Sequence, residues 1–156
     1  LEADIAAVRY DPGDGLLEVP VKLRVYESLF VPLAKWPMLV SGNYRCIKLD
    51  EMISIRDAVH GDLDASREAY SWAEQLCVEL GAADTDLVPF EKYAKAAEGL
   101  GKPSSAARAL FGGAEYIERV DCLIRRIALQ QDLSSDTVDE IVRLVDDRLE
   151  KNRAGN

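Results

Sequence analysis

The chain has 156 residues, of which 48% are apolar and 30% charged, a composition that excludes intrinsic disorder and low-complexity classes and fits one domain of ordinary size. Acidic residues number 28 against 19 basic ones, giving a formal net charge of −9, so nucleic acid is not an expected partner because binding its phosphate backbone requires a basic surface. No run of 18 apolar residues and no signal-peptide pattern occur, so we expect no membrane span and a cytoplasmic location.

Residues 1–29 are predicted to form a β-hairpin or the remnant of a preceding domain. The runs 5–10 and 16–26 flank a turn sequence at residues 11–15, and the second run alternates apolar and polar residues like a half-buried strand. Pro20 places that strand at an edge, because proline donates no ladder hydrogen bond. The chain begins with leucine rather than methionine, which suggests a piece of a longer product.

Residues 30–150 are predicted to form a compact bundle of five or six helices, and hence a mostly α-helical domain. Apolar residues recur there at helical spacing, which predicts one buried stripe on each helix. The clearest stripes are Ala65, Ala69, Ala73, Leu76, Cys77 and Leu80; Ile117, Val120, Ile124 and Ile127; and Val138, Ile141, Val142, Val145 and Leu149. Gly81 is typical of a residue just past a helix end. Residues 151–156 are expected to fray.

The helix predicted around the second stripe is expected to carry two surface ion pairs. Glu115 precedes Arg119 by four residues, and Asp121 precedes Arg125 by the same spacing. That spacing places the two charges one turn apart on a helix.

Conventional metal and nucleophile sites have little support. The three cysteines, Cys46, Cys77 and Cys122, show no C-x-x-C pairing, so we expect reduced structural thiols and no zinc site. His60 is the only histidine and precedes a glycine in a predicted loop. The string Gly-Asp-Gly at residues 13–15 belongs to a turn and does not open a helix, so it is not a dinucleotide-binding fingerprint.

Two segments carry polar residues with candidate functions. In the first, Pro37 suits the first turn of a helix, and Lys35 and Asn43 lie eight residues apart, near one face of such a helix. A lysine and an amide together can polarise a carbonyl and hold a hydroxyl. The alternative is that Lys35 is simply a solvated residue beside a core tryptophan.

The second segment covers residues 102–121. Ser104 and Ser105 are predicted at a helix N-terminus, where hydroxyl and free N–H groups favour a carboxylate or phosphate. Glu118 and Asp121, three residues apart, are predicted to share one face of the next helix and to hold hydroxyls or an amine, or to accept a proton. A capping serine and a surface ion-pair stripe explain the same spacing equally well.

The order of these features resembles the C-terminal helical domain of ketopantoate reductases, within the 6-phosphogluconate-dehydrogenase-like superfamily. The resemblance covers roughly residues 30–130. It is carried by the stretch 36–43, the helix closing at Gly81, Pro103-Ser104-Ser105, Gly112-Gly113 and Glu118-x-x-Asp121. Met38 stands where the family has its lysine, and Gly42 occupies one expected asparagine position.

The resemblance implies the substrate-binding and dimerisation domain of an NAD(P)-dependent oxidoreductase that reduces a 2-keto acid or a similar carbonyl. NADP or NAD would be held by a Rossmann domain that is not present in this chain. Carried over, Glu118 is the catalytic acid at the hydroxyl of the substrate. Lys35 takes the place of the catalytic lysine at the carbonyl only if the register shifts, because Met38 occupies the matching position. The residues implied to bind the small-molecule substrate are Asn43, Ser104, Ser105 and Asp121.

The alternative hypothesis is a non-catalytic helical module that binds a partner protein or a second copy of itself. The last helix, apolar on one side and acidic on the other, suits packing in a homodimer. A metal-dependent hydrolase using Asp84, Asp86 and Glu91 has less support, because no histidine lies near these acids in the sequence.

Overall fold

The computed structural model describes residues 2–18 and 28–155, and it confirms a mostly α-helical, compact chain with one small hairpin. Within these ranges the α-helices are α1 (Glu2–Ala7), α2 (Trp36–Met38), α3 (Ile55–His60), α4 (Leu63–Glu79), α5 (Phe90–Ala97), α6 (Ser105–Phe111), α7 (Val120–Gln130) and α8 (Asp136–Ala154). None of the helices in this part of the chain combines the length and the apolar content that a bilayer crossing requires.

The N-terminal hairpin is shorter than predicted. The first predicted strand begins as α1, whose alanine-rich sequence favours a helix. The strands are β1 (Arg9–Tyr10) and β2 (Leu17–Glu18), which pair antiparallel and are exposed. The rest of the second predicted strand, including Pro20, lies outside the described residues.

Residues 31–46, which we call the irregular helix, form one helical run at the centre of the fold. The hydrogen-bond pattern changes from 3₁₀ (Val31–Lys35) through α2 to a π turn (Leu39–Asn43) and a second 3₁₀ turn (Tyr44–Cys46). Side-chain hydroxyls bind carbonyls along this run. Ser41, Tyr93 and Ser104 donate to the carbonyl oxygens of Pro37, Met38 and Asn43 at 2.7, 3.2 and 2.7 Å.

Gly42 allows α5 to approach the π turn closely. A Cβ atom at position 42 would lie 2.0 Å from the hydroxyl oxygen of Tyr93 and 3.2 Å from Cγ2 of Val59. The first distance is far inside van der Waals contact, so any larger residue forces Tyr93 or the irregular helix to move. The glycine found where the family resemblance expected asparagine therefore has a packing reason in this chain.

The two longest helices bury the stripes that the sequence predicted. The stripe of α4 is fully buried from Ala69 to Cys77, and Gly81 follows the helix with φ +106°. The stripe of α8 is also buried inside the chain, so this apolar side is not available for the predicted packing in a homodimer. Homodimer formation stays a prediction and requires another surface. The tail predicted to fray is helical as far as Ala154.

The helix predicted around residues 115–127 begins only at Val120, and both predicted ion pairs on it are wrong. Arg119 precedes the helix and contacts Asp121 at 2.8 Å and Asp146 at 2.5 Å. Arg125 pairs with Asp139 on α8 instead. Tertiary neighbours therefore replace the predicted pairings within one helix.

Replacing Gly42 with alanine should destabilise the protein by about 2–3 kcal/mol, because overpacking at a rigid contact costs energy of this order. Urea denaturation of Gly42→Ala measures the loss. Gly99→Ala is the matched control, because its Cβ would have no atom closer than 3.7 Å. The double variant Gly42→Ala/Tyr93→Phe lacks the clashing oxygen. Its loss of stability should therefore be smaller than the sum of the losses in the two single variants. Strict additivity of the two substitutions would contradict the contact.

Candidate functional site

Two clefts flank α6 and share two of their lining residues. The larger, about 650 Å³, has Lys102 and Arg108 as its charged lining residues, and we call it the basic cleft. The smaller, about 400 Å³, has Glu118 as its charged lining residue, and we call it the acidic cleft. Asn43 and Ser105 line both clefts. The structure thus brings together four of the predicted site residues: Asn43, Ser104, Ser105 and Glu118.

Ser104 fixes α6 to the irregular helix. Its hydroxyl donates to the carbonyl of Asn43 at 2.7 Å and accepts the N–H of Ala107 at 3.2 Å. The side chain is buried, and these two bonds use its donor and one acceptor position. Ser104 thus caps and anchors α6, and the prediction that it binds a substrate carboxylate stays a prediction. Ser105, next along the chain, is exposed and lines both clefts.

The wall of the basic cleft is attached to α3 through the main chain. The N–H of Ile55 donates to the carbonyl of Lys102 at 3.1 Å, and the N–H of Arg56 donates to the carbonyl of Leu100 at 3.0 Å. Apolar surface between the charges comes from Ile55, Leu100 and Pro103. The cleft therefore combines a fixed main-chain frame, an apolar wall and two cations.

Neither cation of the basic cleft is neutralised by an ion pair within residues 2–18 and 28–155. No carboxylate lies within ion-pair distance of Lys102 or Arg108 there, whereas Arg67, Arg119, Arg125 and Arg143 all have such partners. In a chain of net charge −9, two unpaired cations at one cleft create a local positive potential. The arrangement favours an anionic ligand group.

Tyr44 holds the loop that carries Glu118. Its hydroxyl donates to the carbonyl of Glu118 at 3.0 Å and accepts the N–H of Val120 at 3.1 Å. Burial, together with the negative charge of Asp121, raises the pKa of Tyr44 to about 12. Glu118 itself is exposed, and its carboxylate has no hydrogen-bond or ion-pair partner in the described part of the chain.

Asp121 is separated from Glu118, which corrects the prediction of a carboxylate pair on one helix face. Glu118 lies in the loop before α7, whereas Asp121 lies in its first turn and is only 1% exposed. The Asp121 carboxylate accepts hydrogen bonds from Nε and Nη2 of Arg119 at 2.8–3.2 Å. Asp121 is thus a buried structural charge and lines neither cleft.

Lys35 also lines neither cleft. It is exposed at the end of the first 3₁₀ turn, beside the half-buried Trp36 that packs on the core. The lysine at the basic cleft is Lys102, which was not among the predicted site residues. Its position directly before Pro103-Ser104, in a segment rich in candidate polar residues, is the sequence signal that could have identified it.

The remaining candidates for chemistry are side chains that already have a hydrogen-bond or ion-pair partner, or a pKa that disfavours the reactive form. His60 Nε2 bonds the carbonyl of Ala94 at 3.0 Å. Burial raises the pKa of all three thiols, that of Cys77 to about 11, which disfavours the reactive thiolate. Among the residues with described positions, no group of three or more histidine, cysteine or acidic side chains is arranged to hold a metal. Of the acids considered for a hydrolase, Asp84 and Glu91 line one cleft with Glu74, but Glu91 pairs with Arg67.

Comparisons of the chain with protein-family models, curated proteins and solved structures give no match. The resemblance to ketopantoate reductases therefore stays a prediction from sequence motifs.

The buried tyrosines should make the protein sensitive to alkali. Burial raises the pKa of Tyr93 to about 12, as for Tyr44, and that of Tyr70 in the same direction. Because these folded-state values exceed the unfolded value of about 10, the folded state keeps protons that the unfolded state loses. The contribution of these tyrosines to the free energy of unfolding should be constant below pH 10 and should fall between pH 10 and 12, by up to about 1.4 kcal/mol per pH unit for each tyrosine.

Urea denaturation at pH 9, 10 and 11 measures this fall. The Tyr44→Phe variant is less stable at neutral pH but should show a shallower decline, because it has one fewer titrating group. A slope that is the same in both proteins would remove Tyr44 from the explanation.

Proposed function

We propose that the chain is a helical substrate-binding domain whose basic cleft binds a small organic carboxylate. The observation that carries the proposal is the pair of unneutralised cations, Lys102 and Arg108, at one cleft of an otherwise acidic protein. The cleft volume of about 650 Å³ falls in the range of roughly 300–1,000 Å³ that is typical of small-molecule sites.

The chemistry of the lining suits such a ligand. An arginine presents two parallel N–H groups that match the two oxygens of a carboxylate, and a lysine adds a point charge. The apolar wall of Ile55, Leu100 and Pro103 suits the carbon chain. Asn43 and Ser105 supply a neutral amide and a hydroxyl beside the charged end.

The proposal retains the substrate class of the oxidoreductase hypothesis, since a 2-keto acid is a carboxylate. Within that hypothesis Lys102 is a better candidate than Lys35 for polarising the carbonyl, because Lys102 lines the cleft. Hydride transfer from NADP or NAD stays a prediction that depends on a nucleotide-binding partner domain. We also infer a cytoplasmic location from the free thiols of Cys46, Cys77 and Cys122.

Calorimetric titration with hexanoate and with hexanamide tests the proposal. Hexanoate should bind at least five-fold more tightly than the neutral amide, because only the carboxylate interacts with the two cations. Lys102→Gln and Arg108→Gln should each weaken hexanoate binding about five- to ten-fold, which corresponds to about 1–1.4 kcal/mol.

Arg126→Gln is the matched control, because Arg126 is an exposed arginine on α7 that lines neither cleft. Its affinity for hexanoate should equal that of the unmodified protein. Equal losses in all three variants would show that the effect is one of net charge and would remove the basic cleft from the proposal.

A further inference from the structure

We propose that the ligand of this domain is an amino-carboxylate, with its carboxylate in the basic cleft and its ammonium group beside Glu118 in the acidic cleft. This inference rests on the proposed function and specifies the class of ligand. It is carried by the juxtaposition of two oppositely charged clefts on either side of α6.

The two clefts adjoin through Asn43 and Ser105. Both residues line both clefts, and no side-chain hydrogen bond is made by either one within the described ranges. An amide and a hydroxyl each donate and accept, so the boundary between the clefts is polar without carrying charge. A ligand chain passing from one cleft to the other would cross this boundary without meeting a charged side chain.

Glu118 is the group that recognises the second end of the ligand. It is the charged lining residue of the acidic cleft. The Tyr44 hydroxyl fixes its main chain by donating to the Glu118 carbonyl and accepting the N–H of Val120, two residues further on. A carboxylate with a fixed main chain and no cationic partner favours an ammonium group.

Two aromatic residues line this cleft, Tyr44 and Tyr116. Tyr44 is buried, and Tyr116 is already engaged. The guanidinium of Arg153 lies 5.0 Å from the ring centroid of Tyr116, so this ring is not the cation site. The ligand's ammonium group is therefore assigned to Glu118.

The same arrangement discriminates against other anions. A dicarboxylate would bring its second negative charge toward Glu118, and like charges in one cleft repel. A monocarboxylate would satisfy the basic cleft only. The expected order of affinity is therefore amino-carboxylate, then monocarboxylate, then dicarboxylate of the same length.

Calorimetric titration with 6-aminohexanoate, hexanoate and hexanedioate tests this order, because the three probes differ only at one end. We expect 6-aminohexanoate to bind at least five-fold more tightly than hexanoate, and hexanedioate to bind at least three-fold more weakly. In Glu118→Gln the advantage of the amine should vanish, while the affinity for hexanoate should stay unchanged.

Glu51→Gln is the control, because Glu51 is an exposed glutamate that lines neither cleft. It should keep the amine preference. An amine preference that survives in Glu118→Gln would overturn the inference.

The outcomes separate this inference from the function on which it rests. Hexanoate binding that requires Lys102 and Arg108, with no gain from the amine, would overturn the amino-carboxylate inference alone. The absence of binding by all three probes would overturn both.

Discussion

The close approach of Tyr93 to Gly42 is the contact on which the rest of the structure depends. It brings α5 against the π turn of the irregular helix, and the Tyr93 hydroxyl bonds the carbonyl of Met38 there. Tyr70 stacks on Tyr93 with ring centroids 5.4 Å apart, which links α4 to the same contact. The helix α5 ends at Ala97. The residues that follow it, from Gly99 onward, line the basic cleft together with Asn43.

Two more hydroxyl groups extend this arrangement from the irregular helix to the other side of the site. Ser104 attaches the start of α6 to the carbonyl of Asn43, and Tyr44 attaches the loop before α7. Each hydroxyl both donates and accepts in a buried setting, where an unsatisfied partner would cost about 1–3 kcal/mol. The irregular helix thus fixes α5, α6 and the α7 loop, which together supply the charged residues of the two clefts.

Structural features that depend on local sequence pattern were predicted correctly. Features that depend on contacts between residues far apart in the sequence were not. Buried stripes on α4 and α8 and the cap at Ser104 follow from spacing and residue type, and the structure has them. The start of α7 is set by Tyr44, 76 positions from its partner Val120, a contact that no local pattern reveals. Asp121 has the spacing of a surface ion-pair residue, yet tertiary packing buries it with Arg119.

Because the chain is acidic overall, the question is whether two cations in one cleft can attract an anion against the net negative charge. A net charge of −9 repels anions at long range, but this repulsion is screened beyond about 8 Å at physiological ionic strength. The attraction of Lys102 and Arg108 acts within the cleft at contact distance, where screening is much weaker. Under the proposed function, anion selectivity would therefore arise from these two local charges and not from the overall field. Arg67 and Arg143, by contrast, pair with carboxylates on the surface, so their charges are already neutralised.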